Sequence, residues 1–228
     1  PAMPVLPRVA AAVASTAVAG MLAFAVLALP QAAPGLAPVV AENLSASGVG
    51  NPVTAVLLNF RAFDTLVESI VLLIALIAVW ALTPKELWGG IPGLRQHARP
   101  DGVLVTFGRL LPPLGLLIAV YVVWAGSDVP GGAFQGGTVL AAVWLLVVMA
   151  GIAEEPRQSS RTLRLVLIAG PAVFLGFGLV GALLGSFLGY PAGLAKPLIV
   201  TIEFALTFSI AATLALLVAG TPREEGAA

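Results

Sequence analysis

Three charged residues lie close together within one long apolar segment of the sequence. Arg61, Asp64 and Glu68 are spaced three and four residues apart in the run NPVTAVLLNFRAFDTLVESIVLLIALIAVWAL. On a helix, these spacings place the three side chains on one face, together with Thr65. Charges inside a membrane-spanning helix cost about 2.5–3.5 kcal/mol each on insertion scales, so they usually face a protein interior or a water-filled path. A carboxylate in such a setting can exchange a proton or a cation with a neighbouring group.

Two interpretations of this cluster remain open. Counted back from Leu82 at about 1.5 Å per residue, Glu68 lies about 21 Å from that helix end. We therefore expect Glu68 to belong to a relay for protons or cations. For Arg61 and Asp64 the alternative is an ion pair that fixes helix packing at the outer membrane boundary, and there we favour the structural role.

A second candidate carboxylate is Glu203, in the apolar run PLIVTIEFALTFSIAATLALL. Thr207 follows one helical turn later on the same face. A carboxylate with a hydroxyl neighbour and small residues nearby is typical of the lining of a hydrated seam. It is equally compatible with a hydrogen bond across an interface that fixes a partner helix.

The stretch AGSDVPGGAFQGG interrupts two apolar runs. No lysine follows its glycines, so it does not match a phosphate-binding P-loop, and no strand–turn–helix unit suggests a dinucleotide site. Glycine permits close backbone approach, and proline restricts the residue before it. We interpret the stretch as a compact turn that docks its two flanking helices, with the ions carried elsewhere. Its structural residues are Pro130, Gly131, Gly132, Phe134, Gln135, Gly136 and Gly137.

The composition predicts an integral membrane protein. Apolar residues make up 59% of the 228 residues, charged residues only 10%, and the mean hydropathy is +1.05. The net charge is zero, so no nucleic-acid partner is indicated. There is no cysteine and a single histidine, so we expect neither a cofactor nor a metal site in this chain.

Six segments are long enough to cross a bilayer, which needs about 20 apolar residues. We predict an all-α protein with six transmembrane helices, at roughly 9–29, 53–82, 103–124, 136–153, 163–185 and 197–219. The first segment could be a signal peptide, but its apolar run is longer than a typical signal core, so we favour a retained helix. The segment 33–50 is predicted to be an external loop or surface-lying turn.

The distribution of basic residues predicts that both termini are cytoplasmic. Alternate loops and the chain ends carry Arg8, Lys85, Arg95, Arg99, Arg157, Arg161, Arg164 and Arg223, whereas the opposite loops hold Lys196 alone. The glycine-rich turn then faces outward. A polar, Gly/Pro-rich stretch near residue 95 divides a two-helix module (1–95) from a four-helix domain (96–228).

The motifs resemble those of one family of membrane complexes. VPGGAFQGGTVLAA resembles the signature of the B subunit of Mrp-type multisubunit cation/proton antiporters, over roughly residues 96–228. NFRAFDTLVESIVLL resembles a motif of the small two-helix module at the end of the A subunit, which is a separate chain in membrane-bound hydrogenases. Arg61, Asp64 and Glu68 match that motif, whereas Asn59 and Val67 replace its usual acidic residue and glycine.

The resemblance implies an accessory subunit of a multisubunit complex in a prokaryotic cell (inner) membrane. Such complexes exchange a monovalent cation, usually sodium, for protons. Its partners would be the other membrane subunits, the lipid bilayer, protons and monovalent cations. Two alternatives stay open: a membrane-arm subunit of a redox-driven pump such as an energy-converting hydrogenase, and a scaffold subunit that conducts nothing.

Overall fold

The structure is a computed structural model that describes residues 5–29, 35–93, 102–191 and 193–222. It forms two compact units, 1–38 and 39–228. The predicted loop residues Arg95, His97 and Arg99, and Arg223 near the end, lie outside the described residues.

Over the described ranges the chain is helical and contains no strand, which confirms the predicted all-α class. The helices are α1 (Val5–Leu27), α2 (Ala37–Ser47), α3 (Pro52–Ala55), α4 (Ala62–Ala81), α5 (Val103–Ala125), α6 (Ala133–Met149), α7 (Arg161–Leu183) and α8 (Ala195–Ala219). A π-helical segment, Val56–Phe60, joins α3 to α4, and a single 3₁₀ turn, Lys85–Leu87, follows α4.

Five of the described helices are long and apolar enough to cross a membrane: α1, α4, α5, α7 and α8. The sixth predicted span, α6, is apolar but has only 17 residues, fewer than the about 20 that a crossing needs. Six crossings and cytoplasmic termini therefore stay predictions.

Helix α8 lies at the centre of the second unit. It packs against α4, α5, α6 and α7. Of its most apolar stretch 61% is buried within the chain, against 28% or less for the other spans. A helix that is apolar on all sides is typical of such a central position. The other spans bury 28% or less of their apolar stretches within the chain and leave most of that surface exposed.

The prediction of a loop over 33–50 is wrong, because Ala37–Ser47 forms helix α2. Two helix boundary signals explain the result: Pro38 lies in the first turn, and Gly48 follows the last residue with φ of 74°. A Cβ on Gly48 would lie 2.6 Å from the Cβ of Ala195, so this helix end also contacts the start of α8.

The prediction of one continuous helix over 53–82 is also wrong. The chain enters α3 as predicted, with Asn51 as N-cap and Pro52 in the first turn. The π-helical segment then follows, and Arg61 departs from helical geometry with φ −131° and ψ 35°. The helix is therefore broken about seven residues before Glu68.

Candidate functional site

The glycine turn between α5 and α6 folds back onto the end of α5. The N–H of Gly132 donates to the Val122 carbonyl at 3.1 Å. A Cβ on Gly126 would lie 2.6 Å from the Gly132 nitrogen, and a Cβ on Gly131 would overlap the Val122 oxygen. Side chains at these positions would therefore prevent the turn from closing.

The turn descends along α8 as it approaches α6. At its upper part, Asp128 accepts a hydrogen bond from Lys196 Nζ at 2.6 Å, in the first turn of α8. At its lower end, Gly132 lies against Glu203, which is about 10 Å further along α8 at 1.5 Å per residue. Irregular backbone at such depth is tolerated where protein covers it. The descent also explains why α6 is short, since it begins well inside the level at which α8 begins.

Glu203 is 4% exposed and meets the N-terminus of α6. A Cβ on Gly132 would lie 2.6 Å from Glu203 Oε1. The backbone N–H of Ala133, the first residue of α6, donates a hydrogen bond to the carboxylate. This arrangement caps the positive end of α6 with a negative group from another helix, which is a favourable interaction.

The second carboxylate oxygen of Glu203 has no hydrogen-bond partner among the described residues, although it is fully buried. An unpaired buried charge is costly, so such an oxygen requires a proton, a cation or a polar group to meet it.

Thr207, one helical turn after Glu203, directs its hydroxyl to the backbone of Glu203. Its Oγ1 donates to the backbone carbonyl of Glu203 at 2.7 Å. The side of Thr207 instead receives the glycines of α6: a Cβ on Gly136 would lie 3.5 Å from its methyl group, and one on Gly137 would lie 3.2 Å from its carbonyl oxygen. These two glycines permit α6 and α8 to approach closely.

The other turn residues have different surroundings. Phe134 packs against the main core cluster, which includes Ile202 and Leu206. Gln135 is exposed at the surface of the chain. Its Oε1 nevertheless lies 3.6 Å from the point that a Cβ on Gly132 would occupy. Pro130 is exposed. Phe134 therefore anchors the turn, whereas Gln135 stands beside the Glu203 contact.

The charged cluster of α4 lies on the surface of this chain. Arg61 and Asp64 form an ion pair at 2.5 Å, with 64% and 51% of their side chains exposed. Glu68 is exposed as well. Thr65 points the other way: it is buried and donates to the Leu57 carbonyl at 2.7 Å. The predicted common face is thus wrong for Thr65, because Thr65 lies about 100° around α4 from Asp64 at 3.6 residues per turn, at the edge of the exposed face.

Side chains satisfy the carbonyl groups that the helix break leaves free. Besides Thr65, Tyr190 donates its hydroxyl to the Leu58 carbonyl at 2.8 Å. Asn59, within the π-helical segment, donates its amide to the Ser47 carbonyl at 2.9 Å. Burial raises the pKa of Tyr190, so it remains a protonated donor. The break is therefore a built feature of the fold.

The short helix α3, which precedes the helix break, is bonded directly to the glycine turn. The Asn51 amide donates to the carbonyls of Gly126 and Val129, at 3.0 and 2.9 Å, and Thr54 donates to Gly126 at 2.6 Å. Leu58, from the broken helix, shares the main core cluster with residues of α6 and α8. The two candidate sites therefore belong to one packed unit.

Sequence reasoning treated the glycine turn and the candidate carboxylates as separate features, which the structure corrects. It brings Gly132 and Glu203 into contact, and it buries Glu203 while leaving Glu68 exposed within this chain. Tyr190 was missed because its partner is 132 residues away. Within the described ranges, no group of three or more His, Cys, Asp or Glu is placed to hold a metal ion.

Two families match this chain, one on each side of residue 95. Residues 103–221 match the family described as a domain related to the MnhB subunit of the Na+/H+ antiporter. Residues 6–85 match the MbhE family, described as the E subunit of MBH. The resemblance drawn from the two motifs is confirmed.

Curated relatives carry the same similarity. The chain is 32% identical over 111 residues to a putative antiporter subunit, mnhB2, of Staphylococcus aureus, covering 48% of this chain and 72% of the relative. It is 28% identical over 154 residues to an uncharacterised protein of Methanocaldococcus jannaschii, where the match spans 61% of this chain and 59% of the relative.

Two solved structures have a similar fold. One is a chain of the membrane-bound sulfane sulfur reductase, an archaeal respiratory membrane complex, with 26% identity, a TM-score of 0.69, and 93% and 97% of the two chains covered. The other is a chain of the Mrp complex from Dietzia sp. DQ12-45-1b, with 23% identity and a TM-score of 0.62. That match covers all of this chain and 27% of the larger one.

Proposed function

The chain belongs to the family of domains related to the MnhB subunit of the Na+/H+ antiporter, here fused to a domain of the MbhE family. From this premise we propose that it is a membrane subunit of a multisubunit monovalent cation/proton antiporter complex, with sodium as the cation. Glu203 is its own ion-exchanging group.

The observation that carries this proposal is the buried Glu203 carboxylate with one oxygen bound and one oxygen free. The Ala133 N–H holds the first oxygen and thereby fixes the carboxylate at the end of α6. The second oxygen, unpartnered among the described residues, can accept a proton or contact a cation. A group that alternates between these two states couples the movement of one ion to the other.

The exposed charges on α4 support a role at the boundary with a neighbouring subunit. Glu68 lies within the span Ala62–Ala81, where a lipid-facing charge is costly. Its exposure in this chain therefore indicates that another subunit or a water-filled path covers it. We assign Glu68 to the part of the pathway shared with that neighbour, and the Arg61–Asp64 pair to its entrance.

A redox-driven complex is the second candidate, favoured by the similarity along nearly the whole length of a chain from the sulfane sulfur reductase complex. In such a complex this chain would supply the same membrane module, while other subunits would hold the redox centres. Identification of the co-purifying chains separates the two: iron–sulfur subunits would overturn the antiporter assignment.

The proposal is tested by measuring cation-dependent proton movement in membrane vesicles that contain the assembled complex. Glu203→Gln removes the exchangeable proton and keeps the shape of the side chain, and Glu68→Gln does the same on α4. Glu42→Gln, at an exposed position on α2, is the matched control.

We expect Glu203→Gln to abolish exchange, Glu68→Gln to reduce it, and Glu42→Gln to leave it unchanged. Assembly is checked in each case by the recovery of all subunits. Normal exchange by an assembled Glu203→Gln complex would show that Glu203 exchanges no ions, and normal exchange by an assembled Glu68→Gln complex as well would show that this chain acts as a scaffold.

A further inference from the structure

A pocket of about 220 Å³ lies at the carboxyl end of α4, away from Glu203. It is bounded by the end of α4, by the turn that follows it, and by the beginning of α7. Its lining residues are Ile77, Trp80, Ala81, Trp88, Gly89, Gln158 and Arg164. All of them lie in the described part of the chain.

Two buried hydrogen-bond donors at this pocket lack an acceptor among the described residues: Trp80 Nε1 and Gln158 Nε2. Gln158 is 5% exposed, and its backbone is held on both sides: its N–H donates to the Gly90 carbonyl at 2.9 Å, and its carbonyl accepts from Arg164 Nε at 3.2 Å. A buried donor without an acceptor is costly, so a fixed amide beside a pocket points to a missing acceptor.

The pocket is positive. Arg164 is the single charged residue among those that line it, so the lining contains no carboxylate. Helix α7 begins at Arg161, immediately beside the pocket, and Ser160 caps it. The amino end of this 23-residue helix carries the positive end of its dipole. Donors, a guanidinium and a helix start all favour an oxyanion.

The pocket lies at the end of the apolar span Ala62–Ala81, the level at which we expect the membrane boundary. Trp80 lies in the last turn of the span Ala62–Ala81, and Trp88 beyond it is 66% exposed. Tryptophan is enriched at this level of a bilayer, where lipid headgroups lie. Below it, Ile77 is 53% exposed and provides an apolar wall where acyl chains would pass.

We propose that this pocket binds a phosphate-type oxyanion, supplied by the headgroup of an anionic phospholipid. Trp80 and Gln158 donate to the phosphate oxygens, Arg164 neutralises its charge, and the face of α4 around Ile77 accommodates the chains. The proposal does not depend on Glu203 or on the class of complex.

The test compares phosphatidylglycerol, phosphatidylcholine and inorganic phosphate as additives to the full chain, purified in detergent with the subunits that accompany it. Thermal unfolding and native mass spectrometry report stabilisation and bound lipid. The variants are Arg164→Gln and Trp80→Phe. Their matched controls on α5 are Arg109→Gln and Trp124→Phe, both at exposed positions outside the pocket.

We expect phosphatidylglycerol to stabilise the wild type more than phosphatidylcholine does. Arg164→Gln should raise the phosphatidylglycerol concentration that gives half of the maximal stabilisation by about ten-fold, the equivalent of about 1.4 kcal/mol. Trp80→Phe should raise it by a smaller factor. The controls should respond as the wild type does. Stabilisation by inorganic phosphate, also lost in Arg164→Gln, would support the oxyanion site and assign it to a free anion.

Equal responses to the two lipids in every variant, with no response to phosphate, would overturn the proposal. An unfolded Arg164→Gln variant does not prevent the test, because Trp80→Phe removes one donor while keeping the charge and the ring. If phosphatidylglycerol stabilised Trp80→Phe and Arg164→Lys, both folded, over phosphatidylcholine to the same extent as the wild type, that result would count against the donors assigned to the pocket.

Discussion

Replacing Gly132 with alanine tests the contact between the glycine turn and Glu203. Gly132 has φ of 120° and ψ of −173°, a conformation that is essentially restricted to glycine and costs other residues about 1–3 kcal/mol. The new Cβ would also lie 2.6 Å from Glu203 Oε1 and would displace the carboxylate. Loss of its hydrogen bond from Ala133 adds about 1.5–3 kcal/mol. We expect a total destabilisation of about 2.5–6 kcal/mol.

Two controls separate backbone strain from the contact. Gly185 has a similar φ of 113°, but a Cβ there meets nothing within 4 Å, so Gly185→Ala reports strain alone. In the double variant Gly132→Ala/Glu203→Ala the displaced group is absent. Its destabilisation should therefore be smaller than the sum of the two single effects, by more than about 0.5 kcal/mol.

The assay is thermal unfolding of the purified assembly. Since 1 kcal/mol corresponds to about 2–4 °C for 150–250 residues, Gly132→Ala should lower the Tm by about 5 °C or more, and Gly185→Ala by clearly less. Equal decreases for the two variants, together with additive effects in the double variant, would refute the contact.

Two further predictions concern bonds that hold the candidate site. Tyr190→Phe leaves the Leu58 carbonyl at the helix break without its donor and should destabilise the chain by about 1–3 kcal/mol in thermal unfolding; Tyr121→Phe, at an exposed position, is its control. The hydrogen bond from Lys196 lowers the pKa of Asp128 in the folded chain. The ion pair therefore stabilises the fold fully at pH values above the pKa of Asp128 in the unfolded chain, and this stabilisation is lost as the pH falls through its pKa in the folded chain. Lys196→Gln should remove this acid dependence, worth at most about 1 kcal/mol for an exposed pair, when Tm is followed from neutral to acid pH.

Each of these predictions has a contradicting result. Equal Tm values for Tyr190→Phe and Tyr121→Phe would show that the Leu58 carbonyl finds another donor. If the Tm of Lys196→Gln decreased toward acid pH as the wild-type Tm does, another group would be lowering the pKa of Asp128.

The length of the apolar runs predicts the long helices well, because a chain that crosses lipid must satisfy its backbone hydrogen bonds within a helix. The ends of α5, α7 and α8 agree with the predicted spans to within a few residues. The same criterion cannot detect the break at Arg61, since Val56–Phe60 is as apolar as a regular helix. The break depends on distant donors, such as Tyr190, that no local pattern reveals.

The sequence predicted the residues of the candidate site but not the contacts between them. Glu203 and the glycine turn were each recognised from residue type, but their contact depends on how far the turn descends beside α8. The spacing of small residues alone does not locate the close contacts between helices. Gly181, Gly185 and Gly189 repeat every four residues, which suggests one helix face, yet α7 ends at Leu183. The close approach of α7 to α8 occurs at Gly170, where a Cβ would lie 2.8 Å from the Leu206 Cα.

The central claim is that Glu203 changes its protonation state when the cation binds. Infrared difference spectroscopy of the assembled complex, recorded on addition and removal of sodium, measures this directly. We expect a carboxyl band that disappears as sodium is added, that is absent in Glu203→Gln, and that is retained in Glu42→Gln. A sodium-induced spectrum in which Glu203→Gln is identical to the wild type would contradict it.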